Sequence, residues 1–337
     1  MRKPVVLITG ANGEMGHGLL GTLAEADRRM ITLDLNPLEA SLAGVVTREF
    51  VGSVTDAGVL ERILAEFEVD CVFHLAALLS ARAEFTPVTA HHVNVEGTLN
   101  LLEFAQKQGE SHGRTVTFVY PSSIAAYGLP NLDTKMKAGK VKEGEYPHPA
   151  TMYGCNKLYC EELGRYFTRH YKQLSVDVSP RVDFRAVRFP GLISATTLPS
   201  GGTSDFAPEM VHAAARGVPY ECFVRPDTTI PFMVMPDACE ALVRLAAAPR
   251  GGLTRTAYNV CAFTRSADDM RATVQAAFPG AEITYKIDAK RQGIVDSWPA
   301  DVDDSAARAD WNFRPAYDFD RAFRDYLIPT IRRTYRS

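Results

Sequence analysis

The sequence predicts an α/β protein: a doubly wound parallel sheet with a smaller α/β lobe after it. Short apolar runs alternate with helical stretches through the first half, the first run ends in a glycine-spaced turn, and the alternation weakens after residue 189. Such alternation implies parallel strands joined by right-handed helical crossovers, with helices on both faces of the sheet. At 337 residues, 46% apolar and 23% charged, the chain can bury a full core without disulfides or metals. This excludes a disordered, collagenous or disulfide-stapled chain. A net charge of -3 and no basic block argue against a nucleic-acid partner.

Val5–Thr9 is a continuous apolar run, suited to a strand buried on both faces. Residues 13–29 follow at helical spacing, with Met15, Leu19, Leu20 and Leu23 on one side. Residues 30–35 read as a second strand, 56–67 as a helix and 71–74 as a strand. Residues 88–108 read as a long helix, 115–120 as a strand, 152–171 as a long helix and 184–189 as a strand. Residues 129–149, rich in Lys, Gly and Pro, and residues 173–181 read as inserted surface loops. Residues 190–203 form a Gly/Pro/Ser/Thr-rich loop. The predicted division is a Rossmann-like domain over 1–189 and a mainly substrate-binding lobe over 190–337, with segments around 229–263 returning to the first domain.

The first strand runs into Thr9-Gly10-Ala11-Asn12-Gly13-Glu14-Met15-Gly16, a GxxGxxG pattern between a strand and a helix. In that context Gly10 allows the tight turn, Gly13 lets a pyrophosphate approach the backbone, and Gly16 lets the helix pack closely on the sheet. The helix N-terminus then faces the phosphates. Asp34 ends the second strand, where a carboxylate accepts hydrogen bonds from the adenosine ribose and repels a 2′-phosphate. The predicted cofactor is therefore NAD rather than NADP.

One tyrosine heads a YxxxK match, Tyr153 with Lys157, and i,i+4 spacing puts both on one helix face. Tyr153 is the candidate base. The neighbouring ammonium, with an oxidised nicotinamide, is expected to favour the phenolate and lower its pKa. Tyr120-Pro121-Ser122-Ser123 ends a strand, where ligands bind in open α/β sheets, and Ser123 is the candidate partner of Tyr153 at the reacting oxygen.

The glycine pattern, His74-Leu75-Ala76-Ala77, Val93-Asn94, the Ser122-Ser123 pair and YxxxK together resemble an extended short-chain dehydrogenase/reductase. That superfamily includes nucleotide-sugar epimerases and dehydratases. Phe189-Pro190-Gly191-Leu192-Ile193-Ser194, then Pro199 to Phe206, then Asp227-Thr228 with Pro231 to Met235, Tyr258-Asn259 and Asp296-Ser297-Trp298-Pro299 complete the set. It resembles the short-chain type of L-threonine 3-dehydrogenase.

The resemblance implies oxidation of the L-threonine side-chain hydroxyl to 2-amino-3-oxobutanoate by hydride transfer. Gly10, Asn12, Gly13, Glu14, Met15 and Gly16 would cradle NAD and Asp34 would bind its ribose. Val54, Leu75, Ala76 and Ala77 would flank the adenine and neighbouring ribose, Asn94 would support the sheet edge, and Tyr120 and Phe189 would lie near the nicotinamide. Tyr153 and Lys157 would also touch the cofactor. Ser80, Ser123, Tyr153, Thr203, Ser204 and Trp298 would meet the substrate. The chain departs from the pattern at Val234, where the family usually has Tyr, and at Ser53, where the superfamily often has an acid. Alternatives on the same scaffold are a nucleotide-sugar epimerase or dehydratase and a dehydrogenase of another β-hydroxy acid.

The superfamily usually pairs its two long helices across a homodimer four-helix bundle, which implies a self-complementary interface here. The six cysteines show no CxxC spacing and read as reduced thiols, no metal site is expected, and His91 and His92 read as structural. The apolar run near the N-terminus is too short for a signal peptide or membrane span, so a cytoplasmic protein is expected.

Overall fold

The computed structural model describes residues 4–26, 28–199 and 202–335. Ser200 and Gly201 of the Pro199–Phe206 motif lie outside the described residues. Seven strands build the main sheet, and all of its pairings are parallel. They begin with β1 (Val5–Thr9), β2 (Met30–Asp34), β3 (Arg48–Val51), β4 (Val69–His74) and β5 (Val116–Ser123). After β6 (Lys140–Val141) the sheet gains β7 (Val182–Phe189). Beyond it come β8 (Gly191–Ile193), β9 (Tyr220–Cys222), β10 (Thr229–Val234) and β11 (Ala257–Asn259), then β12 (Phe263–Ser266), β13 (Ile283–Tyr285) and β14 (Asp301–Val302).

The order across the main sheet is β11-β7-β5-β4-β1-β2-β3. The direction of winding reverses between β1 and β4, which opens a crevice at the carboxyl ends of the strands. Every residue of β1 and of β7 is buried, as strands covered on both faces require. Helix Glu14–Glu25 turns Gly16, Leu19, Leu20 and Leu23 inward. Asp56 caps helix Ala57–Glu66 by accepting the Gly58 N–H at 2.9 Å.

The second half of the chain supplies a three-stranded sheet, β12-β10-β8, in which β10 runs antiparallel to β12 and parallel to β8. Its apolar core includes Phe206, Phe232, Phe263, Trp298 and Phe323. Yet β11 joins the edge of the main sheet beside β7, and helix Met235–Ala247 packs against helix Glu14–Glu25. There Cys239 Sγ fills the space at Gly18, 2.6 Å from where a Cβ would stand. Among the described residues no helix is long and apolar enough to cross a membrane.

Several elements differ from the sequence reading. β3 escapes it because only Phe50 of its four residues is buried, so the strand carries no apolar run. The predicted helix over 88–108 is interrupted: Pro87–His91 and Gly97–His112 flank a π-helical turn, His92–Glu96. At its end Gly97 lies against Val54, with Val54 Cγ2 only 2.5 Å from where a Cβ would stand. Residues 129–149 are not merely a loop. Asn131 caps helix Leu132–Lys137 by accepting the Thr134 N–H at 2.8 Å, and β6 pairs with β14. Polar composition concealed this segment because its partners come from the far end of the chain.

Candidate active site

The glycine turn is built as its spacing demands. Gly10 has φ +70°, and a Cβ there would stand 2.7 Å from the Ala76 nitrogen, so β1 and the segment after β4 pass too closely for a side chain. Gly13 is exposed and caps helix Glu14–Glu25 in extended conformation, leaving the first helical N–H groups open. Gly16 is needed for a different contact than the predicted one: a Cβ there would collide with the Ala11 carbonyl inside the turn itself. The open backbone at Gly13 and the first helical N–H groups fit a dinucleotide pyrophosphate, with Gly10 and Gly16 packing the turn behind them.

Asp34 stands beside this turn at the end of β2. Its Oδ2 accepts the Asn12 N–H at 3.0 Å and its Oδ1 the Asn36 N–H at 3.1 Å. Each carboxylate oxygen has a further lone pair for a ribose hydroxyl. The Asn12 side chain is engaged within the protein: Nδ2 donates to the Asn36 and Pro37 carbonyls, and Oδ1 accepts the Glu39 N–H. Asn12 therefore ties the glycine turn to the loop after Asp34.

A cavity of about 320 Å³ opens over the carboxyl ends of β1, β4, β5 and β7. From the part of the chain up to residue 189 Glu14, Met15, Leu75, Ala77, Ser80, Ser123, Tyr153, Lys157 and Phe189 reach its wall; from the second half Ser204 and Trp298 do. Thr203 is buried next to it, with Oγ1 3.4 Å from Ser80 Oγ. Residues from opposite ends of the chain thus meet at one wall.

Other predicted residues stand behind it. Asn94, in the π-turn, grips the backbone of Leu78 by accepting its N–H at 2.8 Å and donating to its carbonyl at 3.0 Å. It supports the segment that leads to Ser80 rather than facing the cavity. Val54 is packed over Gly97 and Ala76 against Gly10. Tyr120 lies beneath the site, its ring 4.4 Å from Lys157 Nζ, and burial pushes its phenol well up. Val234 is fully buried at the end of β10, and Ser53 Oγ lies 2.7 Å from Thr55 Oγ1.

Helix Met152–Arg169 presents Tyr153 and Lys157 together. Its N-cap is Thr151, which accepts the Gly154 N–H at 3.0 Å. Gly154 lets the helix sit against the Ala125 carbonyl, where a Cβ would collide. Lys157 Nζ donates to the Pro121 carbonyl at 2.6 Å and lies 5.4 Å from the Tyr153 ring centre. Burial lowers its pKa to about 8, against the opposing effects of Cys160 and Glu161. Tyr153 runs against the sequence expectation: burial raises its phenol above the ordinary value, because the protein alone removes water without pairing the phenolate. Ser123 accepts the Ala125 N–H at 3.1 Å, which fixes its oxygen beside the cavity.

Sequence reasoning missed the layer that supports this group. Ser122 donates to Glu161 at 2.5 Å, and Arg188 holds both Glu161 oxygens, at 2.9 and 2.7 Å, while donating to the Glu143 carbonyl. Asn259 takes the Tyr127 hydroxyl and donates to the Val141 carbonyl. The network joins β5, β7, β11 and residues 129–149. Only the placement of a charge, Arg188, inside an apolar strand pattern signalled it.

A parallel sheet with a glycine-spaced turn at its switch point and a Ser–Tyr–Lys group over its carboxyl edge defines a class, the extended short-chain dehydrogenase/reductases. Residues 6–261 match the NAD dependent epimerase/dehydratase family, and the chain belongs to that family. An uncharacterised epimerase/dehydratase of Staphylococcus haemolyticus is 36% identical over 319 residues, 93% of each chain. Among solved structures, the L-threonine dehydrogenase of Clostridium difficile superposes with a TM-score of 0.85 at 32% identity, covering 99% of both chains. A GalE-like L-threonine dehydrogenase from Cupriavidus necator, in its holo form, gives 0.83 at 34% identity over 98% of this chain and 99% of that one.

Proposed function

We propose that the protein oxidises the side-chain hydroxyl of L-threonine to 2-amino-3-oxobutanoate with NAD+. The observation that carries this reading is the wall shared by Ser123, Tyr153 and Lys157 with Ser80, Ser204 and Trp298. One side carries hydroxyl-oxidation chemistry, and the other carries hydroxyls and an indole around a volume suited to a small amino acid. The likeness to the Clostridium and Cupriavidus enzymes supports the same substrate.

Gly10, Gly13, Gly16 and Asp34 would hold the dinucleotide, with Met15, Leu75, Ala77 and Phe189 along its path. When bound, NAD+ supplies the hydride acceptor for Cβ and a positive charge near Tyr153. The residues of the chain do the rest. Ser123 orients the substrate hydroxyl and Tyr153 removes its proton. Lys157, held by the Pro121 carbonyl, places an ammonium against the Tyr153 ring and favours the phenolate that burial disfavours. Ser80, Thr203 and Ser204 hold the carboxylate and amine, and Trp298 excludes water from the reacting end.

The test is NADH formation with L-threonine, set beside L-allo-threonine, D-threonine, L-serine and 3-hydroxybutyrate, with UDP-sugars followed separately by analysis of the sugar product, because epimerisation or dehydration returns the hydride and leaves no NADH. Turnover confined to L-threonine supports the reading. Turnover confined to another hydroxy acid moves the substrate, and reaction of a UDP-sugar overturns the dehydrogenase assignment.

We also propose a homodimer through the two long helices. Phe85, Val88, Tyr159 and Tyr166 leave large apolar groups in water on or beside them, Phe85 being 87% exposed. Light scattering at micromolar concentration checks this, and a monomer there refutes it.

A further inference from the structure

Residues 129–149 carry a device that the reaction does not account for. Lys135 is a charged side chain only 2% exposed, and its Nζ donates to the Val295 carbonyl at 2.9 Å. The same carbonyl accepts the Trp298 N–H at 3.2 Å. Two residues further on, the carbonyl of Ser297, the residue before Trp298, accepts the Leu129 N–H at 2.8 Å. Just beyond Trp298, β14 pairs with β6. The backbone on both sides of Trp298 is thus fastened to one segment, at Leu129, at Lys135 and at β6. Val295 lies in the last turn of helix Ala289–Asp296, where a cation also complements the helix dipole. The other end of that helix is anchored to the same wall, since Arg291 donates to the Gly202 carbonyl, next to Thr203 and Ser204.

We infer that residues 129–149 set the size of the substrate pocket, with Lys135 as the positioning residue that holds Trp298 at its wall. The chemistry favours this over a purely structural tie. An ammonium buried at a carbonyl that already has a backbone partner loses much of its hydration, and an apolar side chain would fill the space without that loss. Beside its attraction to the nearby Asp296 and Asp227 carboxylates, the ammonium supplies a fixed direction for Val295, and through it for the Trp298 backbone. The residue that would feel its loss is Trp298, part of the cavity wall.

The size-setting role rests on the proposed oxidation of L-threonine, but the link from Lys135 to Trp298 does not. The experiment therefore reads both. The protein holds two tryptophans, Trp298 and Trp311, so labelling with 5-fluorotryptophan gives two 19F resonances, assigned through Trp311→Phe. Lys135→Met should shift or broaden the Trp298 resonance and leave that of Trp311 in place. In steady state it should raise KM for L-threonine about fivefold or more, with KM for NAD+ unchanged, and increase the relative kcat/KM for the bulkier 3-phenylserine. Asn131→Ala, which removes the cap of helix Leu132–Lys137, should act in the same direction with smaller effect and serves if Lys135→Met does not fold. A variant that melts earlier but keeps the wild-type Trp298 resonance, threonine KM and substrate ratio overturns the inference. A wild-type protein that leaves L-threonine untouched removes the size-setting role, and the 19F shift then decides the link alone.

Discussion

Burial acts on Tyr153, and a cation stands close by. The phenol sits above its ordinary pKa because burial disfavours the phenolate, and the proposed counterweight is Lys157, itself lowered to about 8, whose Nζ lies 5.4 Å from the ring centre. In the proposed mechanism a raised pKa keeps Tyr153 protonated at neutral pH, so its phenolate fraction grows as pH increases. The expected kcat/KM for L-threonine therefore climbs through the alkaline range. Tyr153→Phe should lose that rising limb and be slower by about 10²–10⁴-fold. A Tyr153→Phe protein with the wild-type pH profile would place the base elsewhere. Asp34 is tested by cofactor choice. Asp34→Asn keeps the size of the side chain and one of the two N–H acceptors that meet Asn12 and Asn36 but removes the charge that repels a 2′-phosphate, so the ratio of kcat/KM for NAD+ over NADP+ should fall at least about tenfold. An unchanged ratio would show that the 2′ position does not meet this carboxylate. Tyr153, Lys157 and Asp34 were legible in sequence because each belongs to a spaced pattern. Lys135 was not, since a charge in a Lys-rich segment reads as surface, and Arg188, though its place in an apolar strand pattern signals burial, does not reveal its partner Glu161.

Elements are fastened at the carboxyl edge of the sheet by a buried imidazole. His74 ends β4, with Nδ1 2.8 Å from Thr9 Oγ1 at the end of β1 and Nε2 3.0 Å from Thr98 Oγ1 in helix Gly97–His112. Burial, reinforced by Lys157, pushes its pKa down from 6.5 to about 3. The unfolded chain therefore binds a proton near pH 6.5 that the folded chain refuses. Stability from this site is complete above pH 6.5 and falls by about 1.4 kcal/mol per unit below it, until the folded site itself protonates near pH 3. His74→Gln should flatten that part of the pH dependence in urea melts, by the difference between variant and wild type. Parallel curves between pH 6 and 4 would contradict it. At this scale the periodic helices and the doubly buried strands were readable, because one face or both carry the apolar pattern. The π-turn over His92–Glu96 was not, because the contacts made in and beside it, Asn94 with Leu78 and Gly97 with Val54, lie between distant parts of the chain. Residues 129–149 were misread for the same reason: β6 has its partner in β14.

At the scale of the whole molecule, the two halves share more than a hinge. β11 comes from the second half and completes the main sheet, helix Met235–Ala247 lies on helix Glu14–Glu25, and β14 holds β6. Across the cavity Thr197 donates to Glu14 at 2.5 Å, joining the loop after β8 to the cofactor helix. Sequence suggested a division near residue 189, since alternation is a local signal and a strand that returns to a distant sheet leaves no mark of its destination. With the core interleaved in this way, neither half buries its apolar surface without the other, so the chain should unfold as one cooperative unit. Calorimetry should show a single transition with equal calorimetric and van't Hoff enthalpies. A ligand that binds only the native state stabilises it by mass action. NAD+ at about 100 times its Kd should add about 2.7 kcal/mol and move the whole transition upward. Two transitions, with only the earlier part of the chain responding to NAD+, would show that the halves fold separately and that the shared sheet edge is too weak to couple them.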